Sequence, residues 1–140
     1  MSITSDRVRE IFKGLENGDG TAFFEHVADD VDWIVMGTHP LAAHYRSKKA
    51  FREGTFAKLG QVLQNGAQLH VEDLIVKDDE AVVELHSLAT AKNGMRFDNR
   101  YCWVVYFHRY FDSPIFFPLA ARGLAWVQYD PTLSDLRVPL

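Results

Sequence analysis

Two neighbouring runs, residues 81–92 and 95–107, carry the side chains of this sequence best suited to chemistry: Glu84, His86, Asn99, Tyr101 and Trp103. A carboxylate beside an imidazole is the simplest general acid/base pair, because burial raises the pKa of the acid toward neutral pH. A buried amide and a phenol can donate hydrogen bonds to a developing enolate oxygen. An indole ring adds a flat apolar surface for a ligand. Residue types in this combination are typical of the wall of a pocket.

The dipeptide Asn93-Gly94 separates the two runs and predicts a β-hairpin, since a type I′ turn needs positive φ at both central positions. A two-residue loop places Lys92 opposite Met95. Counting back from there gives the expected pairs Thr90 with Phe97, Leu88 with Asn99, His86 with Tyr101, and Glu84 with Trp103. Because side chains alternate along a strand, this pairing puts all five candidate residues on one face of the hairpin. We therefore predict that Glu84 and His86 are catalytic and that Asn99, Tyr101 and Trp103 bind the substrate.

Structural interpretations stand beside these functional ones. Glu84 could pair with a neighbouring arginine or a backbone amide, and His86 could bond Tyr101 as plain architecture. Asn99 and Tyr101 could form a hydrogen-bonded girdle that orients neighbouring aromatic rings.

Three residues outside the hairpin are further candidates for substrate binding: Trp33, His39 and Tyr45. Trp33, like Trp103, suits an apolar or aromatic ligand, although either ring could instead fill the core. His39 and Tyr45 flank a loop with Gly37 and Pro40, where a lid could cover a pocket mouth.

The opposite face of the predicted hairpin carries an apolar strip of Val83, Leu85, Cys102 and Val104. An apolar patch on a small domain is usually covered by a partner. We therefore predict a homodimer through this strip.

Composition excludes several classes of function. The chain has 140 residues, 47% of them hydrophobic, and a net charge of −4, which argues against a basic nucleic-acid surface. The single Cys102 favours a reducing, cytoplasmic location, and no stretch approaches the roughly 20 apolar residues of a membrane span. The sequence also has no group of histidine, cysteine or carboxylate residues at the spacing of metal ligands and no phosphate-binding loop. It therefore predicts neither a metal nor a cofactor.

The surrounding pattern predicts the elements that position these residues. Apolar residues at helical spacing predict helices near 5–15, 21–27 and 47–65, and alternation predicts strands near 31–35, 67–76, 81–92 and 95–107. The last third predicts a strand at 124–129 after an irregular excursion at 111–122. This order is typical of an α+β domain with helices packed on one face of a curved sheet.

Five stretches resemble the SnoaL-like branch of the nuclear-transport-factor-2-like superfamily: residues 15–19, 27–33, 36–41, 45–48 and 99–103. The resemblance covers roughly residues 5–107 and departs from the family pattern after Tyr106. It implies a single domain over residues 1–140, built as a cone-like curved antiparallel sheet with three helices on its concave face. It also implies a deep apolar pocket for a small apolar or aromatic molecule, within a homodimer.

The ketosteroid isomerases of this superfamily use a tyrosine and two aspartates, which alignment places near Ile11, Val35 or Met36, and Trp103. None of those residue types stands there, so that mechanism is disfavoured. The first hypothesis is a cofactor-independent enzyme that cyclises, isomerises or dehydrates an apolar carbonyl compound by proton transfer. The alternatives are a non-catalytic small-molecule binder and a dimeric interaction module with a filled cone.

Overall fold

The computed structural model describes the backbone of residues 3–36, 40–109 and 116–124, and the side chains as far as residue 107. Its helices are α1 (Ser5–Phe12), α2 (Thr21–Phe24), α3 (Lys48–Gly54) and α4 (Phe56–Val62), with a 3-10 turn at Lys13–Leu15. Its strands are β1 (Asp32–Met36), β2 (Ala43–Tyr45), β3 (His70–Lys77), β4 (Glu80–Thr90), β5 (Arg96–Arg109) and β6 (Phe116–Leu124). These elements form the predicted α+β fold, with the helices on one face of a curved sheet.

Local signals explain where the helices begin. The Thr4 hydroxyl accepts a hydrogen bond from the Arg7 amide at the start of α1, and Ser47 caps α3 through Ala50 N at 3.0 Å. The predicted third helix is divided at Thr55, whose hydroxyl donates to the Phe51 carbonyl at 2.6 Å. Among the described residues, no helix has the length and apolar content needed to cross a membrane.

The six strands lie in the order β2-β1-β6-β5-β4-β3, and all pairs are antiparallel except β1 with β6. The prediction that residues 111–122 form an irregular excursion was wrong for 116–122, which belong to β6. Pro118 is tolerated in this strand because it sits at a register shift opposite Phe107, before the pairing with β1 begins at Ala120. Residues 125–129, predicted as a strand, lie outside the described residues.

The hairpin loop between β4 and β5 has three residues instead of two, and the predicted register was wrong by one residue. Ala91 N donates to Met95 O at 2.7 Å, and Gly94 N donates to Ala91 O at 2.8 Å. Gly94 alone in this loop has a positive φ, of 89°, as in a turn closed by a glycine bulge. Asn93 instead accepts a hydrogen bond from Met95 N at 3.0 Å. The Asn-Gly dipeptide therefore predicts the position of the turn correctly, but it does not determine the number of residues in the loop.

The one-residue change moves every side chain of β4 to the other face relative to β5. Glu84 lies opposite Cys102 and His86 opposite Arg100, whereas Tyr101 lies opposite Leu85. Glu84 and His86 therefore lie on the outer face of the sheet, away from the helices. The prediction that they share a face with Asn99, Tyr101 and Trp103 was wrong.

The apolar strip that was predicted to bind a second copy of the chain is divided between the two faces of the sheet by the same change of register. Val83 and Leu85 are fully buried under the helices, whereas Cys102 and Val104 remain on the outer face and are only partly buried. Their shared strip therefore does not exist in this register.

Aromatic rings fill most of the space between the helices and the sheet. Seven of them contact one another in a continuous cluster: Phe12, Phe23, Phe24, Trp33, Phe51, Phe56 and Trp103. Such rings bury large apolar areas, so this cluster is the main stabilising contact between the two layers.

Alanine substitutions at Gly94 and Gly60 test the backbone conformation at these two positions. An added Cβ would meet no atom within 4 Å at either position, so neither substitution causes a steric clash. Gly94→Ala should lower the free energy of unfolding by about 1–2 kcal/mol, because its φ is positive. Gly60→Ala, inside α4, should raise it by about 0.5–1 kcal/mol. Urea denaturation measures both, and a neutral Gly94→Ala would contradict the positive φ of Gly94.

Candidate functional site

A cavity of about 60 Å³ lies between the sheet and the pair α3–α4. Its lining comes from strands β1 and β5, from both helices and from three connecting segments. It consists of Trp33, Val35, Leu41, Phe51, Thr55, Phe56, Leu59, Ala67, Leu69, Tyr101 and Trp103. A water-sized probe needs about 10–15 Å³ of such space, so the cavity holds roughly four to six non-hydrogen atoms. The cone is thus neither hollow nor completely filled.

Trp33 and Trp103 form the aromatic side of this cavity. The Trp33 ring stacks on Phe51 with centroids 4.0 Å apart, and Trp103 meets it edge-on at 5.0 Å. Both indoles also belong to the core cluster. Both interpretations of these residues therefore apply, because each ring borders the cavity and also fills part of the core.

Tyr101 supplies one of two hydroxyl groups in a mostly apolar lining, and the other, that of Thr55, already donates to the Phe51 carbonyl. Asn99 Nδ2 donates to the Tyr101 hydroxyl oxygen at 3.3 Å, which leaves the phenolic proton available to another acceptor. Burial raises the pKa of Tyr101 to about 12, so the phenol stays protonated at neutral pH. It can donate a hydrogen bond to a ligand oxygen but cannot serve as a general base.

The described lining contains no carboxylate and no imidazole. The acid/base pair predicted for this site, Glu84 and His86, lies on the other side of the sheet. There the two nitrogens of His86 contact Glu72 at 3.0 Å and Asp98 at 2.5 Å. The predicted architectural partner Tyr101 is replaced by two carboxylates.

That outer-face cluster extends to two arginines. Arg96 binds Asp98 at 2.9 Å and Arg100 binds Glu72 at 3.0 Å. The hydrogen bond from His86 is the main cause that lowers the pKa of Asp98 below its usual value. Two arginine–carboxylate pairs thus flank His86 across β3, β4 and β5.

Asn99 and Tyr45, two further predicted binding residues, are not among the lining residues. Tyr45 donates to the Leu41 carbonyl at 2.7 Å and packs edge-on against Phe51, so it holds a lining residue without lining the cavity itself. His39 lies outside the described residues.

Sequence reasoning missed the contribution of the helices. Phe51, Thr55 and Leu59 line the cavity from α3, α4 and the residue between them. Their spacing of four residues was visible as a helical face, but a face that packs on a core and one that borders a cavity look the same in sequence.

A wider surface groove of about 780 Å³ runs beside α3 and α4. Three of its charged groups already have partners, since Lys48 binds Asp29 at 3.0 Å and the Arg52 guanidinium lies 4.7 Å from the Phe24 ring. We therefore place the candidate site in the smaller interior cavity.

Comparison with known proteins agrees with the geometry. Residues 8–109 match the model of the SnoaL-like domain. The chain is also 28% identical over 100 residues to the dimerizing cyclase phiC of Fungal sp. (strain ATCC 74256), covering 69% of this chain. It spans only 44% of the length of that relative.

Solved structures share the fold at low identity. An NTF2-like protein from Burkholderia thailandensis is 19% identical, covers 84% of this chain and 86% of its own, and superposes with a TM-score of 0.65. TerC, co-crystallised with polyporic acid, is 18% identical, covers 86% of this chain and 88% of its own, and has the same TM-score of 0.65.

The His86 cluster predicts an acid-dependent stability. Because the pKa of Asp98 is lowered in the folded chain, its contribution is present above the usual value of 3.8 and is lost as the pH falls through the folded value. Asp98→Asn should therefore be less stable than the wild type at pH 6 and lose less stability below pH 3.8. Urea denaturation at several pH values measures this.

Asp30→Asn is the matched control, since Asp30 is exposed and makes no ion pair with the described residues. Its acid profile should follow that of the wild type. A wild-type profile for Asp98→Asn would contradict the assignment.

Proposed function

This chain belongs to the SnoaL-like domain family, and on that basis we propose that it binds a compact, largely apolar carbonyl compound in its interior cavity and polarises the carbonyl group. The reaction best supported is a cofactor-independent isomerisation or cyclisation. Both rearrange bonds within one molecule without oxidation or reduction, so neither needs a redox cofactor.

One observation carries this proposal: the Tyr101 hydroxyl is the sole ionisable group in the described lining. Its raised pKa keeps the proton in place, and Asn99 occupies one lone pair of its oxygen. A protonated donor held in an apolar cavity stabilises negative charge as it develops on a carbonyl oxygen, which is the principle of an oxyanion hole.

The size of the cavity supports a compact ligand. Sites for drug-sized molecules measure about 300–1,000 Å³, several times the 60 Å³ found here. A small ring or short-chain ketone matches the space directly. A larger substrate would place only its reacting end among these residues.

The similarity to a cyclase supports the chemical class. The phiC relative is named a dimerizing cyclase, and TerC was crystallised with an organic acid. Both are consistent with ligands of this fold that are small organic molecules.

We further propose that residues 1–140 form one domain of the family. A cytoplasmic location stays a prediction.

The absence of a carboxylate or imidazole from the described lining favours a second candidate, a non-catalytic binder of the same molecule. In that case Tyr101 gives selectivity for the carbonyl oxygen and no bond changes. Binding and turnover must therefore be measured separately.

A suitable probe is cyclopent-3-enone, whose isomerisation to cyclopent-2-enone removes a proton from the α-carbon and adds one to the γ-carbon. Since the described lining supplies no base, a solvent water or hydroxide accepts the α-proton and the resulting water returns a proton to the γ-carbon, while Tyr101 stabilises the enolate oxygen. Binding should change the fluorescence of Trp33 and Trp103, and ultraviolet absorbance follows the conjugated product. Tyr101→Phe keeps the ring but loses the donor, so turnover should fall about 100-fold. Glu84→Gln, on the outer face, should leave both signals unchanged.

The outcomes separate the two candidates. Binding without turnover above the buffer rate would favour the binder, and neither signal would contradict the proposed site. A loss of turnover in Glu84→Gln would return the acid/base role to that residue.

We also propose that the outer face of the sheet binds a second copy of this chain. Large apolar side chains are exposed there, with Ile75 at 67% and Leu88 at 53%. The ion pairs between them carry both signs in equal number, with Arg96 and Arg100 facing Asp98 and Glu72. A patch of mixed sign can be complementary to itself across a two-fold axis, whereas an acidic or basic partner would meet like charges.

Ile75→Lys should convert the wild-type dimer to monomer in sedimentation velocity at micromolar concentration, because it adds a charge at the centre of an apolar contact. Ala57→Lys, on the exposed side of α4, adds the same charge on the helical side and should stay dimeric. A monomeric wild type would contradict the proposed interface.

A further inference from the structure

We propose that the indole N–H of Trp33 is a second hydrogen-bond donor for the ligand of the interior cavity, which makes Trp33 a residue that determines specificity. The ligand class is then an uncharged molecule with an acceptor oxygen, and hydrocarbons of the same shape are rejected. This inference rests on the proposed function of the cavity.

The first step is the state of the indole nitrogen. Trp33 is fully buried, and its Nε1 has no hydrogen-bond partner. Buried polar groups are nearly always paired, so an unpaired donor beside a cavity calls for an explanation. A phenylalanine would fill the ring position without this unpaired group.

The second step is the surroundings of the ring. Phe51 covers one face of the indole and Trp103 meets it edge-on, and neither side chain offers an oxygen acceptor. The other residues of the cavity that lie on β1 and its following segment, Val35 and Leu41, have aliphatic side chains. Among the described lining side chains, only the hydroxyl groups of Thr55 and Tyr101 carry an oxygen, and neither is bonded to Nε1. A ligand oxygen in the cavity can therefore supply the missing acceptor.

The third step is access. Trp33 borders the cavity that Tyr101 also borders, so one small molecule can contact both residues. Nε1 itself exposes less than 1 Å², so an acceptor reaches it only when a neighbouring side chain moves aside. Rotamer changes of this kind are fast and accompany the binding of many ligands.

A pair of ligands matched in shape tests the inference. Cyclopentanone and methylenecyclopentane have the same number of non-hydrogen atoms, but only the ketone has an oxygen acceptor. The chain has three tryptophans, so a ¹H–¹⁵N spectrum shows three indole signals, and Trp33→Phe assigns the one that matters. The ketone should move the Trp33 indole proton downfield, whereas the alkene should not.

Affinity provides the second measurement. Trp33→Phe should shift the preference between ketone and alkene by about tenfold toward the alkene, since it removes one donor. Tyr101→Phe should shift the preference independently and leave the downfield movement of the Trp33 signal in place. If Trp33→Phe does not fold, Trp103→Phe and Trp126→Phe assign the remaining signal by elimination.

The failures are distinguishable. Binding of both probes with no indole shift and an unchanged preference would overturn the role of Trp33 and leave the cavity as a binding site. If neither probe alters the signals of Trp33 and Trp103, the proposed function itself fails, and this inference falls with it.

Discussion

The register between β4 and β5 decides which chemistry faces the helices and which faces outward. It is set by the loop between them, where Gly94 takes a positive φ and closes a three-residue turn. Since side chains alternate with a period of two, the length of this loop assigns every residue of the hairpin to a face. Tyr101 and Trp103 enter the interior for this reason, and His86 leaves it.

The interior that results is apolar and almost filled. Trp33, Phe51 and Trp103 both hold the layers together and border the cavity, so the site is built from the core itself. Rings packed at the density of a protein interior leave little empty volume, which is why the cavity is small.

The polar residues are distributed between the two faces of the sheet according to the free-energy cost of burying them. A phenol with one amide neighbour can be buried, because it remains neutral and partly satisfied. Carboxylates and an imidazole in mutual contact stay where solvent reaches them, as Asp98 and Glu72 do around His86. The outer face is therefore suited to assembly, and the interior to a neutral ligand.

The sequence by itself determined the fold class and the family. Periodicity, capping residues such as Ser47 and the family-like stretches are local signals, which a chain displays without folding. Trp33, Trp103 and Tyr101 were predicted to bind a ligand from their ring types, while the sequence left open whether the same rings fill the core. Tertiary structure alone decided the hairpin register, the parallel pairing of β1 with β6 and the size of the cavity. Each depends on a backbone angle or on contacts between residues far apart in the chain, and neither is written in the spacing of residue types.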